Sequence, residues 1–301
     1  ARYVRSSRGF GLDGRPKIAL VYAVGDIVPG ESQSSPFGGG LAGADTIVRG
    51  LRQAREDATV RAIVLRVDSP GGSGTASDAI WREVGLARRV KPVVASMGDY
   101  AASGGYYVAM GADEIAAQPG TITGSIGVFS GKFSLRGLYG KLGVSQETVR
   151  RGTNATLFSS WEPWSPEERA RVLDLNEAVY ATVVAKAAEG RKKKPAEIEA
   201  VAQGRVWTGR EALAAGLVDR LGGLDAALGA AAGRARIPKG QEVQVVVLPQ
   251  RRGLLEALLE RQEEDVLAGA LGPGASSFLR WTAALGDRGP IARVPFELAV
   301  R

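Results

Sequence analysis

Residues 62–109 read AIVLRVDSPGGSGTASDAIWREVGLARRVKPVVASMGDYAASGGYYVA, and this stretch decides the fold. Ala62 to Val67 is apolar at nearly every position, and so is Pro92 to Met97. Strands apolar on both sides belong inside a parallel sheet with helices on both faces. Between them Ala76 to Arg88 has helical spacing and supplies the crossover that parallel strands need. Each strand runs into small residues: Asp68-Ser69-Pro70-Gly71-Gly72 after the first, and a loop, Gly98 to Ala102, before Ser103-Gly104-Gly105 after the second. In doubly wound sheets the site lies outside the carboxyl ends of the strands, so these two turns are where chemistry is expected.

The pattern continues on either side. Lys17 to Val24 reads as a strand, residues 29–44 as a Gly/Ser/Pro loop, and Asp45 to Arg55 as a helix with Ile47, Leu51 and Ala54 on one face. Downstream, short strand-like pieces run to Val128. Ser165-Pro166-Glu167-Glu168 is a capping box with Pro at the first helical position, opening a long helix to about Glu189 that Gly190 should end. Thr208-Gly209-Arg210-Glu211 is a second capping box, for a short helix stopped by Gly216. Val243 to Leu248 reads as a late strand, and Leu254 to Leu267 as an amphipathic stretch that packs on the core or serves assembly. The expected division is a basic linker (1–16), one α/β domain (17–235) and a C-terminal extension (236–301). No internal repeat is present.

Composition removes several kinds of chemistry. The 301 residues contain no Cys and no His, which excludes disulfides, a Cys nucleophile, a Ser-His-Asp triad and Cys- or His-ligated zinc. Acid–base work near neutral pH falls to Lys, Asp, Glu, Tyr or a terminal amine of shifted pKa. The net charge is +7. Its one dense basic cluster, Arg191-Lys192-Lys193-Lys194, is too small to predict a nucleic-acid partner. No apolar run approaches the ~18–20 residues of a membrane span, and the first residues lack the apolar core of a signal peptide.

Ser103 is the candidate nucleophile. It stands at a strand-to-helix turn, where a helix N-terminus favours a developing anion. A serine so placed also reads as an ordinary helix N-cap. The Pro-Gly-Gly turn can offer uncovered amides beside it. Asp68 reads as a brace of the Pro-Gly-Gly turn and Asp99 as a brace of the loop before Ser103.

Four segments together resemble the signal peptide peptidase A (protease IV) family: VDSPGGSGTASDAI (67–80), KPVVASMGDYAASGGYYVA (91–109), PGTITGSIGVF (119–129) and AQGRVWTGREALAAGLVDRLGG (202–223). The resemblance covers roughly residues 17–235. It implies an α/β fold of the Clp-protease/crotonase type, a repeated β-β-α spiral core with a C-terminal helical extension. It also implies a membrane-associated serine endopeptidase that cleaves released signal peptides, on the extracytoplasmic face of a bacterial inner membrane, this chain itself being soluble. On matching positions, Ser103 is the nucleophile, the amides of Gly71 and Gly104 form the oxyanion hole, and Gly124, Ser125 and Ile126 lie in the substrate groove. No cofactor and no metal are implied. Expected partners are peptide substrates, an N-terminal half of the same protein and further copies in a homo-oligomer.

The family uses a Ser/Lys dyad, and here the lysine is missing. Short members carry it three residues after a Gly shortly before the long helix, and Ala155 fills that place in Arg151-Gly152-Thr153-Asn154-Ala155. Three readings follow. The chain is the C-terminal half of a tandem member, its base supplied by the other half; it is a lysine-less scaffold that binds peptides; or Lys132 or Lys141 has taken over. A crotonase-type acyl-CoA enzyme is a further alternative, which Ser-Gly-Gly at the turn disfavours. Ala101, Ala102, Tyr106, Tyr107, Val108, Ile126 and Val128 predict an apolar groove, and Thr121 to Val128 a strand edge to which substrate adds.

Overall fold

The computed structural model describes residues 14–34 and 40–249. The Leu254–Leu267 stretch, most of the linker and most of the C-terminal extension lie outside them.

The main sheet is built from β1 (Lys17–Val24), β5 (Val60–Ser69), β6 (Val93–Ala102), β7 (Glu114–Ala117), β10 (Arg220–Leu221) and β11 (Gln244–Leu248), in the order β10-β7-β6-β5-β1-β11 with every neighbouring pair parallel. The crossovers include α1 (Ala44–Glu56), α2 (Gly74–Arg88), α3 (Gly104–Ala109) and α8 (Leu224–Arg234). A small second sheet holds β2 (Asp26–Val28), β3 (Gln33–Ser34) and β4 (Gly40–Gly43).

Alternation along the strands explains their apolar sequence. Ala19, Val21, Ile63, Leu65, Val67, Val93, Ala95 and Met97 face one core with Ile47 and Leu51 of α1, Ile80 and Val84 of α2, and Tyr106 of α3. Ile18, Leu20, Ala62, Val64 and Val94 face the other, under Ala227, Leu228 and Ala231 of α8. Fully burying one such Ile or Leu side chain contributes about 1.5–3 kcal/mol. The fold is therefore α/β, with the sheet covered on both faces.

At its far end β6 outruns β7. Val94 pairs with Glu114 of β7, whereas Tyr100, Ala101 and Ala102 pair with β8 (Ile122–Gly124). On its other side β8 pairs antiparallel with β9 (Val206–Thr208). Gly98 to Ala102, expected to be a loop, is thus the end of a ten-residue strand. Small residues suit that path: a Cβ on Gly98 would stand 2.7 Å from Asp68 Cγ.

After β8 the chain leaves the sheet for residues 125–165, where α4 (Arg136–Lys141) is the one helix. It returns in α5 (Pro166–Arg191), opened by the expected capping box: Ser165 Oγ accepts from Glu168 N, and Glu168 from Ser165 N. Its end differs from expectation. Lys192, not Gly190, takes the left-handed cap conformation (φ 53°, ψ 42°). Gly190 stays within the helix, and its missing side chain admits Met110, since a Cβ there would meet Met110 O at 2.0 Å. Two short helices follow, α6 (Pro195–Glu199) and α7 (Gly209–Ala214), the latter with the second capping box.

Candidate active site

Ser103 joins β6 to α3 with φ 52° and ψ −116°, a conformation that suits glycine and costs another residue about 1–3 kcal/mol. Two hydrogen bonds fix it: Ser103 N donates to Gly124 O at 2.9 Å, and Tyr107 N donates to Ser103 O at 2.9 Å. The cap reading fails, because the Ser103 side chain makes no cap hydrogen bond. Its hydroxyl is not committed to its own helix.

The Pro-Gly-Gly turn reaches the same point. A Cβ on Gly71 would lie 2.8 Å from Gly104 N and 2.9 Å from Ser103 Cβ, so only glycine lets the turn approach so closely. A Cβ on Gly104 would lie 3.2 Å from Gly72 N. Ser103, Gly71, Gly104 and Gly124, expected from sequence, are thus brought together. The amides differ from expectation in one respect. Gly71 N already donates to Ser69 Oγ at 3.1 Å. Ile27 is bridged by Gly71 O and Ser73 N, which turns the Gly72 amide to the opposite side. Which of the two adjacent amides is left unbonded depends on the peptide plane that Ile27 captures, a tertiary contact no local pattern announces.

Gly124 (φ 76°) and Ser125 (φ 49°) form a kink beside Ser103, and Ser125 N donates to Arg205 O at 2.7 Å. Ile126 points into the core with 2% of its surface exposed, so it contributes backbone rather than a groove wall. Residues 122–124 cannot receive a substrate strand, because β6 and β9 flank both their edges. Only the chain beyond Gly124 retains an open side toward Ser103. Of the other expected wall residues, Ala101, Tyr106 and Val108 are core residues.

The first turns of α2 brace α3 from behind. Ser77 Oγ stands 2.6 Å from where a Gly104 Cβ would be. Asp78 accepts from Tyr107 Oη at 2.7 Å and pairs with Lys186 of α5, whose ammonium lies 4.1 Å from the Trp81 ring centre. Burial and the Asp78 bond push the Tyr107 phenol up, and burial does the same for Tyr106. Both stay protonated and neither is a base. Asp68 braces the strand end, with Tyr100 N donating to its Oδ1 at 3.0 Å. Asp99 does not brace: among the described residues it joins no hydrogen bond or ion pair. Sequence reasoning missed the α2 brace, whose members are 29 and 108 residues apart.

Among the described residues no lysine donates a hydrogen bond to Ser103. Lys132 Nζ donates to Thr156 O at 3.3 Å and lies 5.7 Å from the Trp164 ring centre. Desolvation holds its pKa below the ordinary value, against the opposing pull of Glu168 and Glu162. It therefore sits beside Ala155 in the 125–165 segment and donates no hydrogen bond to Ser103. Ala155 itself is exposed in a turn. Lys141 ends α4, a helix with no buried residue. The buried Glu83 pairs with Arg55 at 3.1 Å, and Glu114 with Arg234 at 2.8 Å, so both serve the fold. Among the described residues no group of acidic side chains could hold a metal.

Comparison with known proteins gives this geometry its kin. The model of peptidase family S49 matches residues 86–237, half the chain. The chain belongs to peptidase family S49. This S49 chain is 42% identical over 236 residues to the chloroplastic serine protease SPPA of Arabidopsis thaliana, covering 78% of the chain and 35% of that protein. It is 42% identical over 221 residues to protease 4 of Salmonella typhi, covering 73% and 35% respectively. It thus spans about a third of each of these relatives. The solved membrane-bound stomatin-specific protease 1510-N, in mutant form, shares the fold with a TM-score of 0.50 and 17% identity, over 79% of this chain and 99% of that one. Among the described residues no helix is long and apolar enough to cross a membrane.

Proposed function

We propose that this S49 chain carries the nucleophile and oxyanion hole of a serine endopeptidase whose general base comes from outside the chain. The observation that carries this reading is the strained Ser103 beside two uncommitted amides. Ser103 Oγ attacks the scissile carbonyl, and the amides of Gly104 and Gly72 receive the oxygen as it gains charge. Removing one such donor in a well-studied protease costs about 2.7–4 kcal/mol. Gly71 supplies the uncluttered surface that lets the second amide approach. A serine hydroxyl needs a base to become a good nucleophile. Ala155, the commitment of Lys132 to Thr156 O and the place of Lys141 on a helix with no buried residue support a lysine from an N-terminal half.

The same half, or further copies in a homo-oligomer, would cover the 125–165 segment. Phe129 is 88% and Val149 95% exposed there, and exposed apolar surface of this kind marks interaction sites. Substrates are peptides with small or apolar residues at the scissile bond, cleaved signal peptides being the class implied by the resemblance. The location proposed is the extracytoplasmic face of the inner membrane. Residues 17–235 form the peptidase domain on this reading, with β11 of the C-terminal extension completing its sheet beside β1.

The test is peptide hydrolysis by the 301-residue chain alone and by the same chain joined to its upstream half. Activity only in the joined form, abolished by Ser103→Ala, is expected. Robust Ser103-dependent turnover by the chain alone would overturn the external base. Peptide binding with no turnover in the joined form would favour the scaffold.

A further inference from the structure

A cavity of about 450 Å³ opens at the same sheet edge, between the end of β6 and the start of β8. Asp99, Tyr100, Gln118 and Ile122 line it. Its floor is fixed: Thr121 Oγ1 donates to Gly98 O at 2.7 Å and accepts from Gln118 N at 3.0 Å. Asp99 has no partner among the described residues, in a chain where 39 cationic side chains face 32 anionic ones. The nearby Arg66 is committed to Ser96 Oγ at 2.9 Å and Met97 O at 2.8 Å. Tyr100 is 51% and Ile122 36% exposed, so the carboxylate sits beside apolar surface left bare.

We infer that this cavity is a substrate subsite for a lysine or arginine side chain. The ligand's methylene stem lies on Tyr100 and Ile122, and its charged head meets Asp99 with the Gln118 amide oxygen as a second acceptor. The placement follows from the strands. Ser103 N is bonded to Gly124 O, and Ile122 lies two residues back along β8, about 7 Å at ~3.3 Å per residue. Tyr100 lies three residues back along β6, about 10 Å. The filled edges of β8 keep the substrate from pairing there, so it reaches the cavity across the strand ends, and an extended peptide at ~3.3 Å per residue covers that span in two to three positions from the scissile bond. This inference rests on the peptidase reading and adds charge selectivity to it.

The experiment measures binding of N-acetylated fluorescent peptides to the 301-residue chain, and their cleavage by the joined enzyme. Each peptide carries one lysine or its uncharged isostere norleucine, moved position by position. Lysine two to three residues from the cleaved bond should improve affinity and kcat/KM about two- to fivefold, as for a partly exposed ion pair, and less at high salt. Asp99→Asn should abolish that preference while norleucine peptides bind unchanged. Asp99→Lys should transfer it to glutamate. A lysine preference that persists in Asp99→Asn, or binding with no positional preference, overturns the inference and leaves the peptidase reading standing. Asp99-dependent binding without cleavage by the joined enzyme overturns the peptidase reading alone. Absence of any peptide binding overturns both.

Discussion

Replacing the strained serine by glycine should make the chain more stable than replacing it by alanine. At φ 52° and ψ −116° Ser103 occupies a region that glycine enters freely. Ser103→Ala removes an oxygen that makes no cap bond and keeps the strained backbone, so stability should change by less than about 0.5 kcal/mol. Ser103→Gly relieves about 1–3 kcal/mol of strain. It also frees the unfolded chain, which offsets about 0.4–1 kcal/mol. The net gain over Ser103→Ala is about 1–2 kcal/mol, or a Tm higher by about 2–8 °C for a domain of this size. Calorimetry and urea unfolding on the 301-residue chain check it, since both variants lack the hydroxyl and activity does not enter. Equal or lower stability of Ser103→Gly, with an unchanged m value, would refute the claim that the backbone at Ser103 stores strain.

Other outcomes follow from the same geometry. Gly124→Ala should destabilise by about 1–3 kcal/mol in thermal unfolding, because it places a Cβ at φ 76° and 2.6 Å from Trp207 Cδ1. Asp78→Ala should cost about 1–3 kcal/mol in urea unfolding, more than Tyr107→Phe, because it strands both the Tyr107 hydroxyl and the Lys186 ammonium. Glu168→Gln tests linkage. The Thr156 hydroxyl and then the Ser165 amide hold the Glu168 carboxyl below its ordinary value. A carboxyl lowered by folding stabilises above its unfolded pKa and loses that contribution as pH falls through the folded one. Urea midpoints should thus show a deficit of about 1 kcal/mol at pH 7, closing only below the ordinary carboxylate range.

Much of this arrangement was legible because local rules and tertiary demands agree. Lys17–Val24 is a strand over the expected residues, and both capping boxes form with their reciprocal bonds. Ser103, Gly71 and Gly104 converge because adjacent parallel strands end together. The failures share a cause. Gly190 was read as a helix end when its missing side chain serves contact with Met110, and Gly98 to Ala102 as a loop when small residues there admit Asp68 and pair with β8. Glycine has two uses, backbone freedom and close approach, and one sequence does not separate them. The occupied edges of β8 were hidden for a different reason. Its partner β9 lies more than eighty residues downstream, and no local pattern announces such a pairing.

The division of labour suggested by the missing base has a physical rationale in the brace behind Ser103. A Ser/Lys dyad needs a rigid nucleophile and a lysine kept neutral by desolvation. The first requirement is met within this chain, by Gly124 O, the Gly71 approach and the Asp78–Tyr107–Lys186 contacts. The second calls for burial, and the segment that holds Ala155 is the most exposed part of the described chain outside its helices. A lysine at position 155 would be solvated and charged until another body covered it. Ala155→Lys alone should therefore not create a peptidase. Peptide hydrolysis across a pH series tests this. No turnover at pH 7 is expected, with a rise only toward pH 10 where a solvated lysine loses its proton. Full neutral-pH activity in the isolated Ala155→Lys chain would mean that the fold desolvates that position unaided, and the covering partner would lose its chemical role.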